Sequence, residues 1–319
     1  MDEPLTATSP QRVFLSGGSG FVGTNVLEEL VARGIRVSAL VNSSPLSVES
    51  DLVTTFNGGL FDRDALKAAM DGCDAAIHLV GIIDENPVKG VTFEKMHVEA
   101  TRNVLDAANE AGVERYVHMS ALGTRPDAVS AYHKTKWQAE ELVRKSGLTY
   151  TIFRPSLVHG PRGEFMQQAA DWARGKALPF LFMPYFGFGL LGLGGSGKVQ
   201  PVYVKDVAKV FVDALSNDAA AGRVYNVAGP DVMDWPTMHR HISTAFRGKP
   251  KIAIGIPSWY AGLLTKVVPA SLLPFNEAQV QMAREDNAGD TTELLADFSI
   301  DLAPFAPTVL TYANVLTMS

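Results

Sequence analysis

The sequence predicts an α/β protein: a doubly wound parallel sheet with a smaller, irregular C-terminal region. Three observations carry this reading. From Arg12 to about Pro155, short apolar runs alternate with longer amphipathic stretches; several of the runs are continuous rather than alternating, as in strands covered on both faces; and the first strand runs into a glycine-rich turn that comes out as a helix.

Taken in order, RVFLSG is a strand and is followed by a helix from about Phe21 to Arg33. IRVSALV and DLVTTF are two further strands, a helix begins near Asp62, and AAIHLVG is the fourth strand. TFEKMHVEATRNVLDAANEAG reads as one long helix, RYVHMSA as a strand, Ala131 to about Lys145 as a helix, and TYTIFRP as a strand. Beyond this the pattern loosens: VQPVYVKDVAKVFVDALSN is a turn into a helix and GRVYNVAG one more strand, set among segments rich in Pro, Gly and aromatics. We therefore expect a flexible N-terminus over residues 1–11, a nucleotide-binding domain over 12–160, and a substrate or partner region over 161–319 that returns a strand near 223–227 to the sheet.

Composition bounds the function. With 319 residues, 46% of them hydrophobic, the chain can bury a substantial core. A net charge of -6 with no basic run excludes a nucleic-acid backbone as the expected partner. The one cysteine, Cys73, forms no internal disulfide and is expected in the core or a turn; no His/Cys/Asp set has metal spacing, so no metal is expected. The opening MDEPLTATSPQ is acidic and polar, the reverse of a signal peptide, and we expect an intracellular, cytoplasmic protein, at most peripheral to a membrane.

Gly17, Gly20 and Gly23 form G-x-x-G-x-x-G at the strand-to-helix junction, with Phe21 and Val22 opening the helix. One glycine allows the sharp turn, another the approach of backbone to a pyrophosphate, the third close helix packing, and the helix N-terminus offers free N–H groups to phosphate. This marks a Rossmann-type dinucleotide site. An acid at the end of the second strand would select NAD, a base NADP; here Asn42, Ser43 and Ser44 stand there, and the missing acid leans the reading to NADP(H) over NAD(H).

Tyr132 and Lys136, four apart in SAYHKTKWQAEELV, share a helix face after the strand that ends at Ser120. An ammonium beside a phenol lowers the phenol pKa and makes it an acid/base for a carbonyl or alcohol.

With these residues in hand, the chain resembles the short-chain dehydrogenase/reductase superfamily in its extended or atypical branch. It is most similar to the subfamily that includes the nucleotide-binding accessory subunit of respiratory complex I and its bacterial relatives. The matching segments are FLSGGSGFVG, AAIHLVGI, ATRNVLDAANEAGVERYVHMSALG, AYHKTKWQAEELVRKSGLTYTIFRPSLVHGP, QPVYVKDVAKV and YNVAGP, and QVQMAREDN resembles the complex I branch. The resemblance implies that Gly17, Gly20 and Gly23 hold the pyrophosphate, that Tyr132 is the acid/base, and that Lys136 binds the nicotinamide ribose. It also implies that Val80 and Gly81 pass along the cofactor, Asp62 lies near the adenine, and Pro155 and Ser156 flank the carboxamide.

Two departures stand out. Where active members carry a second hydroxyl after the fifth strand this chain has Ser120-Ala121, so Ser120 or Thr124 would have to polarise the substrate. The adenine-side Gly-Asp is replaced by GGL, and Gly59 supplies no carboxylate.

Ala177 to Gly195 is free of charge, but Pro179, Pro184 and its glycines exclude a transmembrane helix. It and Ile256 to Phe275 are either buried or an apolar lip for a lipidic substrate, a membrane surface or a protein partner. His78 and His118 lie in strands and are expected in the core, His97 lies where relatives carry Asn, and His133 should face away from the tyrosine. Asp206 is expected to cap its helix. Two functional classes follow: an oxidoreductase working through Tyr132, with a nucleotide-sugar epimerase or dehydratase as the variant within enzymes, or a catalytically silent NAD(P)H-binding structural or redox-sensing module of a membrane-associated assembly.

Overall fold

Alternate side chains of the first strand already divide the interior. In β1 (Arg12–Ser16), Val13 and Leu15 enter one buried cluster and Phe14 the other. The structure, a computed structural model, describes residues 10–268, 273, 275–283, 285–310 and 312. Residues 1–9 of the expected flexible N-terminus, 269–272 and 274 of the second apolar stretch, and Arg284 of QVQMAREDN lie outside the described residues.

After β1 come α1 (Phe21–Ala32), β2 (Arg36–Val41), β3 (Val53–Asn57), α2 (Arg63–Met70) and β4 (Ala75–His78). A π-helical turn, Glu94–Glu99, then leads into α3 (Ala100–Ala111), followed by β5 (Arg115–Met119), α4 (Ala131–Arg144) and β6 (Thr149–Pro155). The sheet order is β11-β6-β5-β4-β1-β2-β3 with every pair parallel, where β11 is Arg223–Val227. The order reverses between β1 and β4, and the crevice outside their C-terminal ends is where such a sheet takes a ligand.

The remaining elements are β7 (Val158–His159), α5 (Glu164–Arg174), β8 (Met183–Gly187), β9 (Lys198–Val199), β10 (Val202–Tyr203), α6 (Val204–Asp213), β12 (Met233–Asp234), α7 (Trp235–Arg247), β13 (Ala253–Pro257), α8 (Ser258–Val267), α9 (Glu277–Met282) and α10 (Thr292–Asp297). α6 contributes Phe211 to the α1 face of the sheet, while α5 and α7 build a third core around Met166, Met238 and Ile242. β8 and β13 pair in parallel apart from the main sheet, joining the two apolar stretches.

Two local expectations are corrected. The stretch read as one long helix over 92–112 opens as a wide π turn, the form that single-turn irregularities take at functional sites. Asp206 does not cap α6: it sits inside the first turn and its carboxylate accepts from the Ala303 amide at 2.8 Å, tying down the C-terminal segment. Cys73, His78 and His118 are buried, and the strand at 223–227 joins the sheet beside β6.

Candidate active site

The glycine turn shows what each position requires. Gly17 has φ +80°, a left-handed conformation that disfavours a side chain, and a Cβ there would press on Val80 at 3.2 Å. At Gly23 a Cβ would lie 1.9 Å from the Gly17 carbonyl oxygen, so α1 approaches the turn as only glycine permits. Gly20 is the N-cap, its amide donating to Gly17 O at 3.1 Å. No side chain caps α1 and its first turn holds no acid, whereas α2, α4 and α7 are capped by Asp62, Ser130 and Asp234. The opening amides of α1 are thus left for an anion. A tight turn, close helix packing and uncapped amides together fit a dinucleotide pyrophosphate. The Phe21 ring packs over Gly160 and Gly163, and Val22 packs against the core.

From Gly17 close contacts run along Val80 and Gly81 to Lys136, and Gly81 also lies beside His97, whose ring meets Tyr132. Gly17 abuts Val80, and Gly81 lies so close to Lys136 that a Cβ on it would be 2.7 Å from Nζ. Lys136 is 2% exposed and its Nζ donates to Met119 O at 3.0 Å, at the end of β5. The Tyr132 ring stands edge-on to His97, with centroids 5.4 Å apart, and to Phe93 and His133. Tyr132 and Lys136 stand four residues apart on α4, one helical turn from each other.

Protonation departs from the sequence expectation. Burial pushes the Tyr132 phenol up to about 12, although part of the ring still reaches solvent, and Lys136 does not offset this. Its ammonium is engaged by Met119 O, and burial pulls the amine down to about 8 against the attraction of Glu140. The resting tyrosine is therefore a protonated acid. His78 and His97 are driven down to about 3 and about 2 by burial and by the Lys136 charge, so both are neutral.

Ser120 is turned away from a substrate role. Its hydroxyl donates to Glu140 Oε1 at 2.5 Å, and Glu140 also accepts from Arg154 and from Arg144. Thr124, the other candidate hydroxyl, is buried beside Ser120, their oxygens 3.3 Å apart, and Ala121 contributes none. The Ser156 hydroxyl donates to Gln200 O and its amide to Val227 O, while Pro155 is buried at the end of β6, its carbonyl taken by Leu122 N–H. Asp62 spends its carboxylate on the α2 cap, accepting from Ala65 N–H at 3.0 Å. Asn42 and Ser43 are exposed at the end of β2, with the Asn42 amide against Gly59. A concavity of about 420 Å³ lies over β2 and β3, lined by Val41, Leu46 and Thr55 among others, and includes neither Tyr132 nor Lys136.

Two residues of this neighbourhood are given no site role from the sequence. His97 is brought against Tyr132 by the π turn, with Nδ1 2.9 Å from Thr135 Oγ1 and Nε2 at the Ile82 backbone. Glu140 follows Lys136 by four residues, one turn further along the same face, and that spacing was the available signal. His133, expected to point elsewhere, does touch the Tyr132 ring but packs beneath Gly123 and bonds Ser130. Among the described residues no group of three or more His, Cys, Asp or Glu could hold a metal ion.

Comparison with known proteins gives the family. A model of the NAD dependent epimerase/dehydratase family matches residues 13–228. The NADH dehydrogenase [ubiquinone] 1 alpha subcomplex subunit 9 of Arabidopsis thaliana is 31% identical over 225 residues, 68% of this chain and 53% of that protein. A farnesyl-dihydroquinoline-oxide ketoreductase of Stigmatella aurantiaca is 33% identical over 187 residues, 52% of this chain and 56% of that one. The chain spans about half the length of these curated relatives. Among solved structures, MoeE5 in complex with UDP-glucose and NAD aligns over 96% of this chain and 98% of its own with a TM-score of 0.72 and 18% identity, a likeness of fold. The parallel sheet, the glycine turn and the family match over more than half of its length make the chain a member of the NAD-dependent epimerase/dehydratase family, in the extended short-chain dehydrogenase/reductase group.

Proposed function

We propose that the protein is an NAD(P)-dependent oxidoreductase acting on a carbonyl or alcohol, with Tyr132 as the acid/base and Lys136 as the charge that steadies it. The observation that carries this is Lys136 Nζ against Gly81 just beyond β4, with Tyr132 one turn earlier on α4 and its ring against His97, which also lies beside Gly81. The nicotinamide, when bound, supplies or takes up the hydride. Gly17, Gly20, Phe21, Val22 and Gly23 would hold its pyrophosphate, Asn42 and Ser43 the adenine-side ribose, and Val80, Gly81, Lys136, Pro155 and Ser156 the nicotinamide half. The absence of a carboxylate at the end of β2 favours NADP(H) over NAD(H).

In the direction of reduction, Tyr132, protonated at neutral pH, donates its proton to the carbonyl oxygen. The phenolate left behind would draw on the Lys136 ammonium, one helical turn away, which in the resting site is held by Met119 O; the Phe93 and His97 rings pack edge-on against the Tyr132 ring and hold it in place. Because Ser120 is held by Glu140 and position 121 is Ala, the polarisation of the substrate falls on Tyr132 alone. An apolar substrate or partner is favoured by the exposed leucines and aromatics of 177–195 and 256–268.

The same lack of a second hydroxyl favours a second reading, an NAD(P)H-holding structural or sensing module that docks on an apolar partner. A nucleotide-sugar epimerase would use the same pair, but the apolar face suits a charged diphosphate-sugar poorly. Tyr132→Phe separates the first two readings: turnover of a carbonyl, alcohol or quinone substrate should fall by about 10³-fold, within the range of general acid/base effects, while cofactor affinity is unchanged. A nucleotide retained on native mass spectrometry that no such substrate oxidises or reduces would overturn the oxidoreductase reading.

A further inference from the structure

Acidic residues are absent from two stretches of this acidic chain. Residues 172–205 and 235–276 hold nine of its 28 Lys and Arg and none of its 34 Asp and Glu. The fold brings the two stretches together: α5 packs on α7, and β8 pairs with β13. Arg174 and Lys176 stand at the end of α5 and Arg247, Lys249 and Lys251 at the end of α7, and the Arg174 guanidinium lies over the Phe246 ring. Lys251 Nζ donates to Phe180 O at 2.6 Å and to Trp172 O, and sits 3.8 Å from where a Cβ on Gly175 would be. Its amine is pulled down chiefly by burial, with the Arg247 charge acting in the same sense. Among the described residues, Lys176, Arg247, Lys249, Lys251 and Lys266 form no ion pair with a carboxylate.

The same ribbon is apolar and uncovered. Leu178 (68% exposed), Phe180, Leu181 (84%) and Ile252 adjoin the basic end, while Leu190, Leu191 and Leu193 project from glycine turns at the other end, beside Trp259 and Tyr260. The Trp259 indole N–H donates to Leu190 O at 3.0 Å and fixes the ring beside the leucines. No helix among the described residues is long and apolar enough to cross a membrane.

We infer that this face docks on the surface of an anionic phospholipid bilayer, with the leucine knuckle and Trp259 in the interface and the lysines against the headgroups. Leucines carried on glycine turns present no shaped surface for a protein to complement, and fluid hydrocarbon needs none. Tryptophan and tyrosine beside them are the side chains that settle at headgroup depth. The unpaired bases select negative lipid, and they oppose a second copy of the same positively charged face. The surface leads toward the cleft through α9, where the Asn276 amide donates to Ile83 O, two residues beyond Gly81. The inference deepens the apolar-partner element of the proposed function and rests on it, but it is independent of Tyr132 chemistry.

The test is flotation of the full-length protein with phosphatidylcholine vesicles, with and without phosphatidylglycerol, at low and high salt. Binding to the phosphatidylglycerol vesicles alone, weakened by salt, is expected. Lys176→Ala/Lys249→Ala/Lys266→Ala should lower the partition coefficient on the order of 100-fold, about fivefold for each basic side chain at an anionic surface. Leu181→Ser/Leu191→Ser/Leu193→Ser should abolish what binding survives at high salt. No binding, equal binding to neutral vesicles, or unchanged binding by either triple variant would overturn the inference. So would a dimer in lipid-free solution that the leucine variant dissociates, which would assign the face to a second copy. Cofactor affinity of each variant, followed by nicotinamide fluorescence, is expected to stay at the wild-type value; its absence in the wild type would refute the oxidoreductase reading and leave the vesicle result standing.

Discussion

Replacing Gly23 by Ala tests the dinucleotide cradle at its tightest point. The added Cβ would lie 1.9 Å from Gly17 O, 2.7 Å from Gly17 C and 2.8 Å from Gly18 Cα, all backbone, so no side chain can swing aside. Relief requires α1 to retreat from the turn by more than about 1 Å, an overpacking strain of about 1–3 kcal/mol in stability. The same retreat withdraws the uncapped amides of α1 from the phosphate position. Losing two charge-assisted hydrogen bonds at about 1.5 kcal/mol each gives about 3 kcal/mol, or roughly 100-fold in Kd. Gly34→Ala is the control: at φ +73° with nothing within 4 Å, it carries the left-handed strain of about 1–2 kcal/mol and no steric clash. Both variants should melt below wild type in thermal circular dichroism, and only Gly23→Ala should lose NAD(P)H affinity by fluorescence titration. Wild-type affinity in a folded Gly23→Ala would refute the placement of the phosphates at this turn.

Two further outcomes follow from the buried charges behind the crevice. Glu140→Ala should destabilise by about 3–5 kcal/mol in urea unfolding, because Arg144 and Arg154 lose the carboxylate between them and α4 loses its tie to β5 and β6. Stability should rise from pH 8 to pH 10 by about 2 kcal/mol, since buried Lys136 gives up its proton near 8 when folded and near its ordinary 10.5 when unfolded; Lys136→Met should flatten this rise. Above pH 10 the raised Tyr132 pKa acts in the opposite sense, because the unfolded phenol ionises first.

The order of strands and helices, the glycine turn and the spacing of Tyr132 and Lys136 along one helix were legible because each is local: a period, a spacing, a turn between two elements. What was not legible depends on partners far apart in sequence. Ser120 looked like a free hydroxyl, but its direction is set by Glu140 on α4, which is itself held by Arg154 on β6. Asp206 had the position of a cap, and Ala303, 97 residues on, claimed it. His97 could not be placed because a π turn shifts the register that a 3.6-residue period assumes. The two apolar stretches were visible, yet their pairing through β8 and β13, which turns two ambiguous segments into one face, lies between positions about seventy residues apart.

The three histidines around Lys136 bear on how its charge is used. His78 and His118 are in register on adjacent parallel strands, their rings 5.5 Å apart, and His97 completes the group near Gly81. If any of them were protonated, a second positive charge would stand in the same low-dielectric pocket. Burial and the Lys136 charge both oppose this and hold all three well below their ordinary value. The pocket therefore keeps its positive charge on one side chain, and that side chain is the one touching Gly81 and sharing a helix face with Tyr132. Ser16 and Thr101 hydrogen-bond His78, and Thr135 bonds His97, so these imidazoles serve as polar packing that fixes orientation without titrating at neutral pH. The rise in stability between pH 8 and 10 consequently has its source in Lys136, and a histidine contribution would appear at acid pH, as the folded state resists protonation that the unfolded chain accepts.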